Sequence, residues 1–220
     1  MYRKYEINED FFDEINTQEK AYFLGILFAD GYNNYDKSNV RLALQEGDIQ
    51  ILNDLKALLY KNNDKPLGKS KKENCNDLLY LDLTNKHISN KLKELGMIQN
   101  KTFFITFPEI PNNLYNHFIR GYMDGDGCIN YFLLKGKHFK CQLRMLGTLE
   151  FLQKVQSIIN ENSNTTGSIR KRGNIYELAY SSRNQVIKAC SYIYSNSAIF
   201  LKRKFNKYLE IKNYKNGRYK

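Results

Sequence analysis

Two aspartates carry the strongest chemical suggestion in this chain. Asp30 closes the stretch Phe23-Leu-Gly-Ile-Leu-Phe-Ala-Asp-Gly31, and Asp126 closes Ile119-Arg-Gly-Tyr-Met-Asp-Gly-Asp-Gly127. Gly25 and Gly121 stand 96 positions apart, and so do Asp30 and Asp126. A repeat at that spacing in 220 residues implies two similar halves, each delivering one carboxylate to a shared place. A glycine inside a good helix costs about 1 kcal/mol relative to Ala, so it needs a reason. Close approach of two helix backbones supplies one: it would set Gly25 against Gly121 and bring Asp30 and Asp126 to the same end. That end is a helix C-terminus, which already carries about half a negative charge. Two aspartates there repel unless a cation sits between them. Hard oxygen ligands of this kind favour Mg²⁺ (or Mn²⁺), which keeps several waters and binds phosphate oxygens. Such an ion lowers the pKa of a bound water and polarises a phosphodiester.

The elements that must position these residues follow from pattern. Thr17 caps a helix that runs through the apolar stretch to Ala29, with Gly31 beyond its end. Val40, Leu42 and Leu44 alternate with Arg41, Ala43 and Gln45, the period of a half-buried strand. Asp48 is expected to cap a helix bearing Ile51, Leu52, Leu55, Leu58 and Leu59. Strands are expected near Leu67–Lys72 and Leu78–Thr84, then a helix from about Ile88 to Leu95. Pro108 and Pro111 break regular structure and mark the join, so the halves are read as residues 1–108 and 109–220.

After the second motif the order recurs. Cys128–Leu134 and Lys140–Met145 read as strands, and Thr148 caps a helix. Strands near Ser168–Arg172 and Ile175–Ser181 precede a helix over Asn184–Ser195 and a basic terminal helix. Each half therefore reads αββαββα, an α+β class with antiparallel sheets and helices on one face. The open faces are expected to carry Arg41, Lys69, Lys71 and Lys72 in one half, and Lys140, Gln142, Arg144, Arg170 and Arg172 in the other. A β-ribbon fits the major groove of B-DNA, where such side chains read base edges.

Composition agrees with a polyanionic partner. The chain carries 34 Lys+Arg against 23 Asp+Glu, a net charge of +11, with the bases spread along its length. Cys75, Cys128, Cys141 and Cys190 form no C-x-x-C, and His87, His117 and His138 lie near none at ligand spacing, which argues against zinc. Free thiols and a reducing compartment are expected. Asp124-Gly-Asp-Gly127 is not a calcium loop, since Lys135 stands where the twelfth-position glutamate belongs. The apolar run from Tyr22 to Ala29 is far short of the ~20 residues that cross a bilayer, and the N-terminus has no signal core. A cytoplasmic protein is expected, with no membrane partner.

The paired motif resembles that of the LAGLIDADG homing endonucleases in their single-chain, two-motif form. That resemblance implies a monomer whose two sheets form a DNA-binding saddle. It also implies site-specific cleavage of both strands at a long asymmetric target, across the minor groove. In that family the last motif acid binds the catalytic metal, which matches Asp30 and Asp126, and the interface glycines match Gly25 and Gly121. The earlier motif acid is present as Asp124 but is Phe28 in the first copy. The family also places a basic residue shortly before the last helix of each half, which implies catalytic roles for Lys101 and Lys202. Gln45 and Arg144, at the ends of strands read as matching, are candidates for the rim of the site. The alternative is a non-cleaving nucleic-acid binder of the same fold, an RNA maturase or a DNA-binding regulator. A splicing intein would begin with Cys or Ser and end in His-Asn, unlike Met1 and Gly-Arg-Tyr-Lys220, so a free-standing or intron-encoded protein is expected.

Overall fold

The computed structural model describes residues 5–62, 65–70, 77–98, 104–134 and 138–214. Helix α1 (Gln18–Asp30) starts where the Thr17 hydroxyl accepts from the Lys20 amide, with Glu19 favourably placed in its first turn. Every residue from Ala21 to Phe28 is buried, so the helix is apolar on all sides because it is covered on all sides. Helix α4 (Tyr115–Asp126) lies against it and is likewise buried from Asn116 to Asp124.

The contact between these helices is backbone on backbone. A Cβ placed on Gly25 would overlap the Phe118 carbonyl oxygen and sit 2.9 Å from the Tyr122 nitrogen. A Cβ on Gly121 would overlap the Tyr22 carbonyl oxygen and sit 2.9 Å from the Ile26 nitrogen. Tyr22 and Phe118, like Ile26 and Tyr122, occupy the same places in their repeats, so the contact is reciprocal, as in a twofold dimer interface.

Each of these helices passes straight into a sheet. Strand β1 (Gly31–Asn34) pairs with β2 (Asn39–Gln45), and helix α2 (Ile49–Leu59) leads to β3 (Gly68–Ser70), β4 (Leu78–Thr84) and α3 (Lys86–Glu94). In the second half β5 (Gly127–Leu134) pairs with β6 (His138–Gly147), followed by α5 (Leu149–Ser163), β7 (Ser168–Arg172), β8 (Ile175–Tyr180) and α6 (Arg183–Ile193). A last helix, α7 (Lys202–Asn213), follows. The sheets have orders β1-β2-β4-β3 and β5-β6-β8-β7, antiparallel throughout. Both halves are thus αββαββα, with α7 added to the second. Val40, Leu42, Leu44, Leu143 and Met145 point into the helical side, leaving the other face of each sheet open.

The structure corrects three sequence expectations, two of them through strand register. Gly31 faces Leu42 and Gly127 faces Met145, so the counterpart of Arg144 is Arg41, not Gln45. Lys69 pairs across from Leu79, which pairs with buried Leu44, so Lys69 lies on the helical side at the sheet edge rather than on the open face. Asp48 precedes α2 but makes no capping bond. A short 3-10 turn over Glu46–Asp48 intervenes, and the Asp48 carboxylate accepts from Arg203 at 3.0 and 3.1 Å instead. Lys71, Lys72 and Lys101 lie outside the described residues.

Adding a methyl group at the helix contact tests the packing. Gly25→Ala or Gly121→Ala is expected to cost ~1–3 kcal/mol or more, because the opposing atoms are backbone and cannot rotate away. Gly47→Ala, where a Cβ meets nothing within 4 Å, should stay within about 0.5 kcal/mol. Urea melts of the three variants check this.

Candidate active site and nucleic-acid interface

Asp30 and Asp126 are the final residues of α1 and α4, and both are exposed. Gly125 lets them share that end. A Cβ there would overlap the Ala29 Cβ and lie 3.1 Å from Oδ2 of Asp30, so the Asp30 carboxylate sits over the last turn of α4. Tyr122 lies within reach of both. Its hydroxyl donates to the Leu146 carbonyl at 2.7 Å, and burial, then Asp126 and Asp30, drive its pKa upward.

The described lysine that reaches this end is Lys204, not Lys202. Lys202 opens α7 and is exposed. The Lys204 ammonium is buried and donates to the carbonyls of Met123 (2.8 Å), Asp124 (2.5 Å), Gly125 (3.0 Å) and Gly127 (2.6 Å). It therefore occupies the negative end of the α4 dipole. Burial lowers its pKa to about 8, opposed by the charges of Asp124 and Asp30. Lys204, Tyr208 and Ile211 form the buried stripe of α7 at helical spacing. That spacing is the sequence feature that could have singled out Lys204.

Asp124 explains how α7 reaches this place. Fully buried, it accepts from the Leu201 amide at 2.8 Å and from the Tyr22 hydroxyl at 2.9 Å, with the Tyr194 hydroxyl at 3.5 Å. Burial raises its pKa to about 6, while Leu201, Lys204, Tyr22 and Arg120 pull it back. Arg120 fixes the approach to α7 by donating to the carbonyls of Ile199 (2.8 Å) and Ile193 (3.4 Å). Phe28, at the Asp124 position of the first repeat, instead packs edge-on against Phe118. The surroundings of the two acids therefore differ: Lys204 acts on Asp30, and Asp126 borders an apolar recess lined by Phe28, Ile105 and Leu146.

The open faces of the sheets adjoin this end, since β1 and β5 begin one residue after the aspartates. Arg41 is held bidentately by Asp82 (2.7 and 2.7 Å) and stacks 3.9 Å over the Tyr80 ring. Glu177 sits between Arg172 at 3.1 Å and Arg144 at 3.7 Å. Asp82 fixes the plane of the Arg41 guanidinium, and Glu177 draws Arg144 and Arg172 together, while all three stay part-exposed. Lys140, Gln142 and Arg170 share the open face of the second sheet, with Lys140 and Arg170 exposed. Gln45 lies exposed at the end of β2.

No family model and no curated protein matches the sequence. Solved structures do. The I-LtrWI LAGLIDADG homing endonuclease bound to target DNA aligns over 93% of this chain and 89% of its own, at 14% identity and a TM-score of 0.55. The meganuclease I-SmaMI bound to uncleaveable DNA aligns over 89% and 90%, at 13% identity and a TM-score of 0.60. The chain has the LAGLIDADG fold. Full-length DUF199/WhiA from Thermatoga maritima also aligns, over 92% of this chain and 63% of its own, at 16% identity and a TM-score of 0.55. No described helix is long and apolar enough to cross a membrane.

One buried histidine near the start of α4 makes a pH test possible. His117 Nδ1 accepts from Arg120 at 2.7 Å, and burial together with that guanidinium lowers its pKa to about 4. The unfolded chain binds this proton below about pH 6.5 and the folded chain only below about 4. Between those values the unfolded state holds more protons, so this group's stabilisation falls as pH falls. The melting temperature should drop more steeply from pH 7 to pH 4.5 in the wild type than in His117→Gln, and parallel slopes would remove the assignment.

Proposed function

We propose that this protein is a site-specific endonuclease of double-stranded DNA, acting as a monomer on a long asymmetric target. The observation that carries this reading is the reciprocal glycine contact, which delivers Asp30 and Asp126 to one end, flanked by two open, arginine-bearing sheet faces. The pseudo-twofold relation between the halves suits a duplex, whose strands are themselves related by approximate twofolds.

The donor set at that end fits a hard divalent cation. Two exposed carboxylates stand where helix carbonyls already concentrate negative charge, and Asp30 and Asp126 would hold Mg²⁺ or Mn²⁺. Such an ion, when bound, supplies a water of lowered pKa and a polarised phosphate oxygen. The rest of the work belongs to the chain. Lys204 offsets the α4 terminus, and the charge of Asp30 acts on it there. It takes the role that the resemblance suggested for Lys202. Asp124 and Arg120 hold α7 so that Lys204 stays in register. Arg41, Arg144, Arg170 and Arg172 present donors to the groove, with Asp82 fixing the plane of Arg41 and Glu177 drawing Arg144 and Arg172 together.

The second reading is a non-cleaving nucleic-acid binder, since the same fold forms the N-terminal domain of DUF199/WhiA. Incubating the protein with a randomised duplex library and Mg²⁺ separates the two. Cut products enriched for one sequence support the nuclease, whereas enrichment by binding without any cut in Mg²⁺ or Mn²⁺ selects the second reading. Asp30→Asn and Asp126→Asn should each lower cleavage more than about a hundredfold while leaving binding within a few fold, as expected when several kcal/mol of charge stabilisation is lost. Lys204→Met should also cut poorly and Lys202→Ala should cut normally, with thermal melts confirming that both variants fold. Cleavage that depends on Lys202 and not on Lys204 would reverse that assignment.

A further inference from the structure

The two sheets differ in reach. Strand β1 has four residues and β5 has eight, while β2 has seven and β6 has ten. At about 3.4 Å per residue, the β5–β6 ribbon extends roughly 13 Å beyond its counterpart. The extension is not polar. Phe132, Leu133 and Leu134 are 49%, 42% and 46% exposed, in a chain of net charge +11. A long exposed apolar ribbon invites aggregation unless it serves a contact.

Register shows which contact suits it. Cys128 faces Arg144, Asn130 faces Gln142, and Phe132 faces Lys140, all on the open side. Their neighbours Ile129, Cys141 and Leu143 are buried beneath. Along the open face the side chains thus run from Arg144 at the site end, through an opposed pair of amides, to an aromatic ring beside a lysine. Successive pairs are about 6.8 Å apart, close to two base-pair steps of 3.4 Å. In the major groove an amide pairs with the N6 and N7 edge of adenine, and an apolar side chain meets the thymine methyl. Both are marks of A·T pairs. The lysine beside the ring gives this face the positive charge that a phosphate-lined groove requires, and Arg170, on β7 beyond β8, adds to it nearer the site end. The first sheet offers no such apolar row: its open face carries Tyr32, Asn34, Asn39, Arg41 and Asp82 around a polar groove.

We propose that the β5–β6 ribbon reads an A·T-rich outer segment of one half-site, with Phe132 as the thymine-methyl contact and Gln142 as the adenine contact. This rests on the DNA-binding reading above and makes the target's asymmetry a consequence of unequal ribbons. In the free protein the Asn130 Oδ1 accepts from the Tyr131 amide at 2.8 Å, so Gln142 is the amide more available to a base.

The test uses the full chain and synthetic duplexes. A site is first selected by binding from a randomised duplex library, and each thymine in it is then replaced singly by uracil, which lacks only the methyl. Wild type should lose about fourfold in affinity at one or two thymines of a single half-site, the value of one buried methyl group. Phe132→Ala should bind thymine and uracil equally at those positions, and Gln142→Ala should relax the base preference at a neighbouring pair. Phe132 is half-exposed, so a melting curve matching the wild type is expected and certifies the variant. Equal affinity for every uracil duplex in the wild type, or a thymine preference that survives Phe132→Ala, overturns the ribbon assignment while leaving sequence-specific binding intact. Failure of the library to yield any preferred site overturns both readings. Concentration-dependent dimerisation of wild type, abolished by Phe132→Ala, would assign the ribbon to a second copy of this chain instead.

Discussion

Two helix backbones in direct contact are the constraint from which the rest of this molecule follows. Side chains normally hold helices 8–10 Å apart, and the reciprocal glycines remove that spacer where α1 and α4 meet. Backbone contact fixes both the distance and the relative rotation of the helices. With the rotation fixed, the last residues of both helices end at one place, and the strands that leave through Gly31 and Gly127 must diverge from it. Sheet placement and the shared end of the two carboxylates are then consequences of a single contact.

That contact creates an electrostatic problem at the shared end. Two helix C-termini and two aspartates concentrate negative charge there, and buried Asp124 lies two residues before Asp126. The second half answers with α7, which brings the buried ammonium of Lys204 onto four carbonyls of the α4 terminus. The asymmetry of the motifs fits this. Where the second copy has Asp124 to bind the start of α7, the first copy has Phe28 packed on Phe118. The repeat is symmetric in the backbone that makes the interface and asymmetric in the side chains that finish each site.

Local features were legible in the sequence, and so was the long-range glycine contact, because the repeat marks it; long-range contacts with no repeat behind them were not. Thr17 and Thr148 cap their helices because capping involves only neighbouring residues. The alternation through Val40 and Leu44 marks β2 because burial of one face requires it. Asp48 had the local form of a cap, yet Arg203, 155 residues away in sequence, captures its carboxylate. The face occupied by Lys69 depends on how β3 registers with β4, and a shift of one residue in such pairing moves every side chain to the other side. Lys204 was hidden among Lys202 and Arg203, because only the contacts of Asp124 and Arg120 decide which of three adjacent bases turns inward. No fragment of the chain contains that information alone.

The burial of α1 from Ala21 to Phe28 also has a consequence for biosynthesis. Its apolar faces are covered in part by α4, which leaves the ribosome 96 residues later. At ordinary translation speeds of about 5–20 residues per second, that interval is roughly 5–20 s. During it the first half exposes an uncovered apolar helix whose partner has not yet been made. The nascent first half is therefore a natural client for a chaperone, and the second half completes its core as well as its site.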